Sequence, residues 1–392
     1  MIERELKHEL QKAAGEYPAV TLMGPRQSGK TTIVRQCFPG HAYRSLEDPD
    51  VRARAKDDPR GFLDEAKEGV ILDEVQRVPE LLSYVQGRID EDRRSGRFIL
   101  TGSHQPQVHQ AISQSLAGRT AVLELYPFTL SEARAYEPEE TRPWPWILRG
   151  FYPGIYEFGL EPARFYRSYM ATYVERDIRQ LIRLRELDAF EVFLRLMAGR
   201  VGHLVNFSAL ANDVGVSAPT IREWISVLKA SYILFELRPW FANLRKRLVK
   251  ASKFYFVDVG FAAWLLGLET PEQVERDPLR GGLFENLLIL DAYKQLLHQG
   301  KSPLFSFFRD SNDNEVDLLM TRAGRHFLAV EIKSGATFQK DMLRGLDVFR
   351  GALDTDSQVD AELWYGGEDE VRFKGVTIRN PLKSSSKPFT LD

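Results

Sequence analysis

The sequence predicts an α/β fold built on a mainly parallel sheet. Four apolar runs, Ala19–Met23, Gly69–Leu72, Arg97–Leu100 and Ala121–Leu125, have the length and character of buried strands. Helical patterns lie between them, and strands that alternate with helices pair in parallel. The first run stops at Gly24, and Thr31–Phe38 then reads as a helix. A strand, a glycine-rich turn and a helix in that order is the arrangement that presents backbone amides to an anion.

The chain has 392 residues. At roughly 100–200 residues per domain, it holds several domains. Hydrophobic residues make up 43% and charged residues 28%, enough apolar material for a sizeable core without metal or disulfide staples. Cys37 is the single cysteine, so no intramolecular disulfide exists, which fits a reducing, cytoplasmic setting. The opening MIERELKHEL mixes charge with apolar residues and lacks the apolar core of a secretory signal. No apolar run approaches the roughly 20 residues that span a bilayer, so no membrane is expected as partner. The net charge of −2 excludes a generally basic nucleic-acid coat and leaves room for a local basic patch. There is no internal repeat, and Ser384–Lys387 reads as a loose tail.

Gly24-Pro25-Arg26-Gln27-Ser28-Gly29-Lys30-Thr31 fits the pattern G-x-x-x-x-G-K-[ST], with Thr32 following in the helix. The glycines let the backbone turn tightly, so that amides converge on phosphate oxygens. Lys30 is expected to reach the β- and γ-phosphates of ATP, and the Thr31 hydroxyl to bind Mg²⁺. Val70-Ile71-Leu72-Asp73-Glu74 ends an apolar strand in two acids. Asp73 is expected beside the metal, and Glu74 to orient or deprotonate the attacking water. Ile99-Leu100-Thr101-Gly102-Ser103 places two hydroxyls at the tip of another strand, either as γ-phosphate sensors (Thr101, Ser103) or as a polar strand-end turn. Arg119, before the fourth strand, reads as an arginine finger reaching a neighbouring subunit or as an ordinary surface arginine. The finger reading implies a homo-oligomer. His104 follows the sensor turn and lies near the same site.

The order of these motifs resembles the AAA+ ATPases. Within them the chain resembles a prokaryotic family that joins an AAA domain to a domain of unknown function with a nuclease-like end. The likeness rests on GPRQSGKTT, ILDEVQRVPELL, FILTGS, SLAGRTAVLELYPF, TYVERDI, NFSALANDVGVSAPTIREWISVL, LFENLLI, RDSNDNEVDLL and VEIKSG, and covers nearly the whole chain. It implies an AAA+ P-loop core over 1–127, a helical lid or connector over 128–190, a winged helix over 191–255 and a nuclease-like α/β domain over 256–392.

Glu137–Pro145 is rich in proline and charge and reads as a loop, and Pro162–Arg200 as long helices. The segment Tyr173-Val174-Glu175-Arg176-Asp177 reads as a salt-bridged helix face. Phe207–Ala211 and Thr220–Lys229 read as the two helices of a helix-turn-helix, with Gly215 in the turn and Ser217 as N-cap. Leu210, Val214, Val216, Ile221, Ile225 and Leu228 are expected between them. The second helix offers Arg222 and Lys229 to DNA, beside Glu223. The stretch Arg238–Lys253 adds Arg238, Arg245, Lys246, Arg247, Lys250 and Lys253 without an acid, interleaved with Trp240 and Phe241. Such a patch grips phosphates without reading sequence. A protein-docking role for the same unit stands beside that reading.

From Phe284 the pattern returns to α/β, with strands expected at Leu304–Arg309, Val316–Thr321 and Phe327–Lys333, and a helix at Leu283–Tyr293. Alternation puts Glu331 and Lys333 on one face of their strand, where Asp317 on a neighbouring strand meets them. Asp317 and Glu331 are expected to bind Mg²⁺, with Glu285 as a further ligand from the helix, while Lys333 orients water or stabilises charge. This set resembles the PD-(D/E)xK nucleases, whose fold is restriction-endonuclease-like. Val316 stands where that family's motif has proline. Arg309 either serves substrate phosphate or stabilises the hairpin Asp310–Asn314. The reading for the whole chain is an ATP-driven enzyme acting on DNA. The alternative is an ATP-dependent switch whose C-terminal domains are non-catalytic docking modules.

Overall fold

The computed structural model describes residues 2–66, 68–103, 112, 114–172, 187–240, 251–322, 325–354 and 356–383. The first layer is an α/β unit. It comprises α1 (Lys7–Glu16), β1 (Ala19–Met23), α2 (Lys30–Cys37), β2 (Ala42–Ser45), α3 (Pro49–Asp57), α4 (Pro59–Asp64), β3 (Val70–Asp73), α5 (Leu81–Glu91), β4 (Phe98–Gly102) and β5 (Thr120–Glu124). The strands lie in the order β2-β3-β4-β1-β5, all parallel, as the sequence pattern predicts. Alternation along β1 feeds two cores. Ala19 and Met23 join Leu72 and Leu100 on one face, and Val20 and Leu22 join Ile71 and Ile99 on the other. The chain leaves β1 at the reversal of strand order, where a crevice opens beyond the carboxyl ends of the strands.

The strand β2 has no counterpart among the predicted runs. Its residues, AYRS, are only half-buried at the sheet edge, so no apolar run marks them.

The middle of the chain is helical: α6 (Leu130–Arg134), α7 (Pro143–Arg149), α8 (Pro153–Glu157), α9 (Pro162–Tyr169), α10 (Leu187–Ala198), α11 (Phe207–Val214) and α12 (Ala218–Ala230). The expected loop over 137–145 is corrected at its end, because Pro143 starts α7 and Trp144 is buried. Proline suits that first helical position, where its missing N–H and fixed φ cost nothing. Asn206 caps α11 and Ser217 caps α12, with Gly215 at φ 81° making the turn between them. Leu210, Ile221, Ile225 and Leu228 are buried as expected, whereas Val214 and Val216 at the turn are half-exposed.

The remaining elements are β6 (Leu234–Pro239), β7 (Lys253–Phe256), α13 (Val259–Leu265), α14 (Pro271–Arg276), α15 (Arg280–His298), β8 (Phe305–Arg309), β9 (Glu315–Thr321), β10 (His326–Lys333), α16 (Arg344–Ala352), β11 (Gln358–Tyr365), β12 (Val371–Phe373) and β13 (Val376–Arg379). They build a second sheet in the order β12-β13-β11-β10-β9-β8-β6-β7. The strands β8, β9 and β10 form an antiparallel meander, and β11 returns parallel to β10 after α16. The pair β6–β7 is antiparallel, and β6 continues the sheet through Arg238 beside Ser306. The second sheet therefore runs across residue 255. No helix among the described residues is long and apolar enough to cross a membrane.

A buried carboxylate locks the helical middle together. Asp258 accepts hydrogen bonds from the Phe151 amide at 2.7 Å, the Tyr166 hydroxyl at 2.6 Å and the Phe261 amide at 3.2 Å. Burial pushes its pKa up, and nearby Lys294 and these donors oppose that rise. Gly150, at φ 69°, packs so closely that a Cβ would lie 1.8 Å from the Tyr166 hydroxyl and 2.3 Å from Asp258 Oδ1. Gly150→Ala is expected to cost about 2–4 kcal/mol by breaking this junction. A fall in the urea midpoint of the purified protein checks it, and an unchanged midpoint refutes it.

Candidate active site

The loop after β1 is shaped by contact as much as by glycine's freedom. Gly24 lies against the end of β5, where a Cβ would sit 2.2 Å from the Leu125 carbonyl oxygen. Gln27 (φ 61°) and Gly29 (φ 92°) both take left-handed conformations before α2 begins. Lys30 opens α2 and folds back over the loop, donating from Nζ to the carbonyls of Gly24 at 3.1 Å and Pro25 at 2.7 Å. The Ser28 hydroxyl donates to the same Pro25 oxygen at 3.0 Å. Burial lowers the Lys30 pKa to about 8, with Glu74 and Asp73 opposing the fall. Arg26 is half-buried, and Gln27 and Thr32 are exposed.

Asp73, at the end of β3, is the meeting point of four elements. Its Oδ2 accepts from the Thr31 hydroxyl at 2.8 Å and the Tyr43 hydroxyl at 2.7 Å, and its Oδ1 accepts from the Thr101 hydroxyl. Thr31 and Asp73 thus bring a hydroxyl and a carboxylate to one point beside the loop, a donor set that fits a hard divalent cation. Tyr43 lies on β2 and escapes sequence reasoning with that strand. Glu74 follows in a left-handed conformation (φ 59°), its amide 3.4 Å from Thr101 Oγ1. Its carboxylate accepts from Gln76, whose amide nitrogen also donates to Ser103 Oγ at 2.8 Å. Lys30, Thr31, Asp73, Glu74, Thr101 and Ser103 therefore cluster at one edge of the sheet.

Arg119 lies at the opposite edge. It precedes β5, its carbonyl accepts from the Ala19 amide, and its guanidinium holds both oxygens of Asp90 at 2.8 and 3.0 Å. The length of β1, roughly 16 Å at about 3.3 Å per residue, separates it from the phosphate loop of its own chain. His104 lies outside the described residues.

Arg4 braces the loop from behind and was not signalled by any motif. It donates to Ser28 O at 2.7 Å, Tyr126 O at 2.7 Å and Glu132 Oε1 at 2.8 Å. Burial would raise the Glu132 pKa, but Arg4, His298 and the Thr129 amide hold it below the usual range. Glu5, Glu132 and His298 bring ligand atoms within 4.8 Å of one another, and the Arg4 guanidinium is the cation already seated there.

In the C-terminal sheet Asp317 on β9 and Glu331 and Lys333 on β10 come together as expected. Asp317 Oδ2 accepts from the Ile332 amide at 2.8 Å, and Lys333 Nζ lies 2.5 Å from Glu331 and 3.8 Å from Asp317. The unexpected member is Lys253. Its ammonium lies 2.9 Å from Glu285, 2.5 Å from Glu315 and 3.5 Å from Asp317, and the side chain is 2% exposed. Lys253 thus belongs to this cluster and not to an exposed basic patch. Glu285 is committed to Lys253 and to the Tyr255 hydroxyl, so it does not stand free as a ligand beside Asp317 and Glu331. Burial raises Glu285 to about 7, with Lys253 opposing. Burial, then Asp317, pushes Glu331 well above its ordinary value, and its buried Oε2 has no hydrogen-bond partner among the described residues. Arg309 pairs with Asp313 and Glu315, which gives it a role in the hairpin.

Of the basic residues considered for DNA, Arg222 is exposed on α12, stacked over Phe207 at 5.9 Å. Lys229 is tied to Glu236 on β6 and so faces the strand pair. Arg245, Lys246, Arg247 and Lys250 lie outside the described residues, as do Phe241 and the segment from Tyr173 to Asp177.

The depressed Lys30 pKa has a consequence for binding. Above about pH 8 the free site holds neutral lysine, whereas a triphosphate favours the ammonium. Nucleotide binding at pH 9 is therefore expected to take up close to one proton and to weaken as pH rises further. Calorimetry in two buffers of different ionisation enthalpy checks this, and equal heats in both refute it.

Comparison with known proteins finds matches along most of the chain. The AAA domain family matches residues 16–134, and two domains of unknown function, DUF8612 and DUF4143, match residues 143–272 and 280–384. Uncharacterized proteins of Mycobacterium tuberculosis and Mycobacterium bovis are each 30% identical over 339 residues, covering 85% of this chain and 74% of theirs. Among solved structures, a Walker-type ATPase of Pyrococcus abyssi aligns with a TM-score of 0.44 at 18% identity, over 68% of this chain and 96% of that one. Domain III of the Thermotoga maritima replication initiation protein DnaA aligns with a TM-score of 0.25 at 16% identity, over 57% of this chain and 88% of that one. The chain belongs to the same family as the two mycobacterial proteins, and its residues 16–134 are the AAA domain of a P-loop ATPase.

Proposed function

We propose that this chain is a Mg²⁺-dependent ATPase that acts on DNA through its C-terminal parts. The observation that carries the first half is the Thr31 hydroxyl 2.8 Å from the Asp73 carboxylate, beside the Lys30 ammonium and the Glu74 carboxylate. Lys30 binds the β- and γ-phosphates, and the loop amides between Gly24 and Thr32 cradle them. Thr31 and Asp73 hold Mg²⁺, which when bound neutralises phosphate charge. Glu74 orients the attacking water, and Thr101 and Ser103 report on the γ-phosphate. Arg119 acts on the nucleotide of a neighbouring copy, after leaving Asp90, in a homo-oligomer.

The second half rests on the helix pair α11–α12 followed by the strand pair β6–β7, the layout of a winged helix. Arg222 and the basic residues Arg238, Arg245, Lys246, Arg247 and Lys250 supply phosphate contacts. The order α15, β8, β9, β10, α16, β11, with Asp317, Glu331 and Lys333 at the strand ends, supports a PD-(D/E)xK reading of the terminal domain. The unpartnered Glu331 Oε2 supports a cation held by Asp317 and Glu331. A second reading is favoured by Lys253, which already gives these acids a fixed cation. On that reading the terminal domain is a non-catalytic docking module and the ATPase is a switch.

Lys30→Ala is expected to lower ATP turnover by roughly 100-fold or more, as loss of a key charge-stabilising group does. Full turnover in the variant refutes the site. For the terminal domain, plasmid and branched DNA are incubated with Mg²⁺ and either wild type or Asp317→Ala. Cleavage by the wild type alone supports the nuclease. No cleavage, or equal cleavage by both, leaves the docking reading. DNA affinity is expected to fall, with a shallower salt dependence, when Arg245, Lys246 and Arg247 are neutralised together. Unchanged affinity counts against DNA contact by this stretch.

A further inference from the structure

We infer that Gln76 positions Glu74 for hydrolysis and couples it to Ser103 on the neighbouring strand. The inference rests on the reading of Glu74 as the residue that orients the attacking water. Gln76 lies in the single 3₁₀ turn Val75–Arg77 that directly follows Glu74. It is 8% exposed, an uncommon setting for a glutamine. Its Nε2 donates both to Glu74 Oε2 and to Ser103 Oγ, the latter at 2.8 Å.

The orientation of the amide follows from its neighbours. The Glu74 carboxylate only accepts, so the nitrogen must face it and the carbonyl oxygen must point away. That oxygen is buried and has no hydrogen-bond partner among the described residues. It is accommodated beside Gly102, where a Cβ would approach it to 2.8 Å. A buried acceptor left without a partner destabilises the fold. The fold tolerates that cost for a side chain whose two donated bonds span the ends of β3 and β4. A leucine there would fill the space and remove the unpaired carbonyl, while Glu74 Oε2 and Ser103 Oγ would lose the donor that links them.

The link has a direction. A γ-phosphate that engages the Ser103 hydroxyl reorients the acceptor shared with Gln76, and Gln76 moves with the Glu74 carboxylate. The carboxylate is thereby set for water only when the third phosphate is in place. Gln76 touches neither water nor phosphate in this scheme. It is a positioning residue that acts through Glu74.

The test compares wild type, Gln76→Leu, Glu74→Gln and the double variant, measuring kcat, KM and the affinity for a fluorescent ATP analogue. Gln76→Leu is expected to lower kcat by roughly 10–100-fold, at or below the lower end of a general base's own contribution. KM and analogue affinity are expected to stay within about threefold, which also shows that the site is folded. In the Glu74→Gln background the same substitution is expected to change kcat less than about twofold, since the two act as one unit. Undiminished kcat in Gln76→Leu overturns the inference. Equal losses of kcat and analogue affinity, or an additive double variant, overturn it as well, by assigning Gln76 a structural role. Full turnover in Glu74→Gln instead removes the underlying reading of Glu74.

Discussion

The buried pair of Arg4 and Glu132 is the joint on which the relation between the two halves of the molecule depends. One guanidinium closes three gaps at once: the back of the phosphate loop at Ser28, the end of β5 at Tyr126, and α6 at Glu132. Removing one partner of such a pair leaves a buried charge and typically costs about 3–5 kcal/mol. The joint continues into α15. Lys294 donates to Phe128 O at 3.2 Å, and Asp291 accepts from the Leu130 amide at 2.7 Å. His298, at the far end of the same helix, lies 3.6 Å from Glu5.

That helix spans the distance to the second set of charges. His298 and Glu285 are thirteen residues apart on α15, about 20 Å at 1.5 Å per residue. One end touches the brace behind the phosphate loop, and the other holds Lys253 among Glu285, Glu315 and Asp317. A continuous helix does not compress over such a length. Its displacement at the loop end, if nucleotide moves Arg4, is carried to the carboxylates as a rigid shift. The helix thus joins the brace behind the phosphate loop to the C-terminal carboxylates as one continuous element.

The phosphate site was legible because its chemistry is local. Gly24 to Thr31 is contiguous, and Asp73, Glu74, Thr101 and Ser103 each end an apolar run that betrays its strand. The strand alternation that joins Asp317 to Glu331 and Lys333 was legible for the same reason. What escaped were partners set by topology. Tyr43 was missed because β2 is a half-buried edge strand without an apolar signature. Arg4 stands 128 residues from Glu132, and no spacing rule connects them. Lys253 was read with the basic stretch around it, since its charge looked like theirs. Only the pairing of β7 with β6, and of β6 with β8, turns it inward.

The C-terminal cluster shows why that one lysine matters. Glu285, Glu315, Asp317 and Glu331 face Lys253, Lys333 and, at Glu315, Arg309, so full ionisation would leave one negative charge unmatched. Burial raises both Glu285 and Glu331 above the ordinary carboxylate range, which favours their protonated forms. Protonation and a divalent cation are competing answers to the same excess, because each supplies the missing positive charge. Lys253 narrows the competition to the side of Glu331, whose Oε2 accepts no hydrogen bond among the described residues. A cation entering there would displace protons without displacing the lysine.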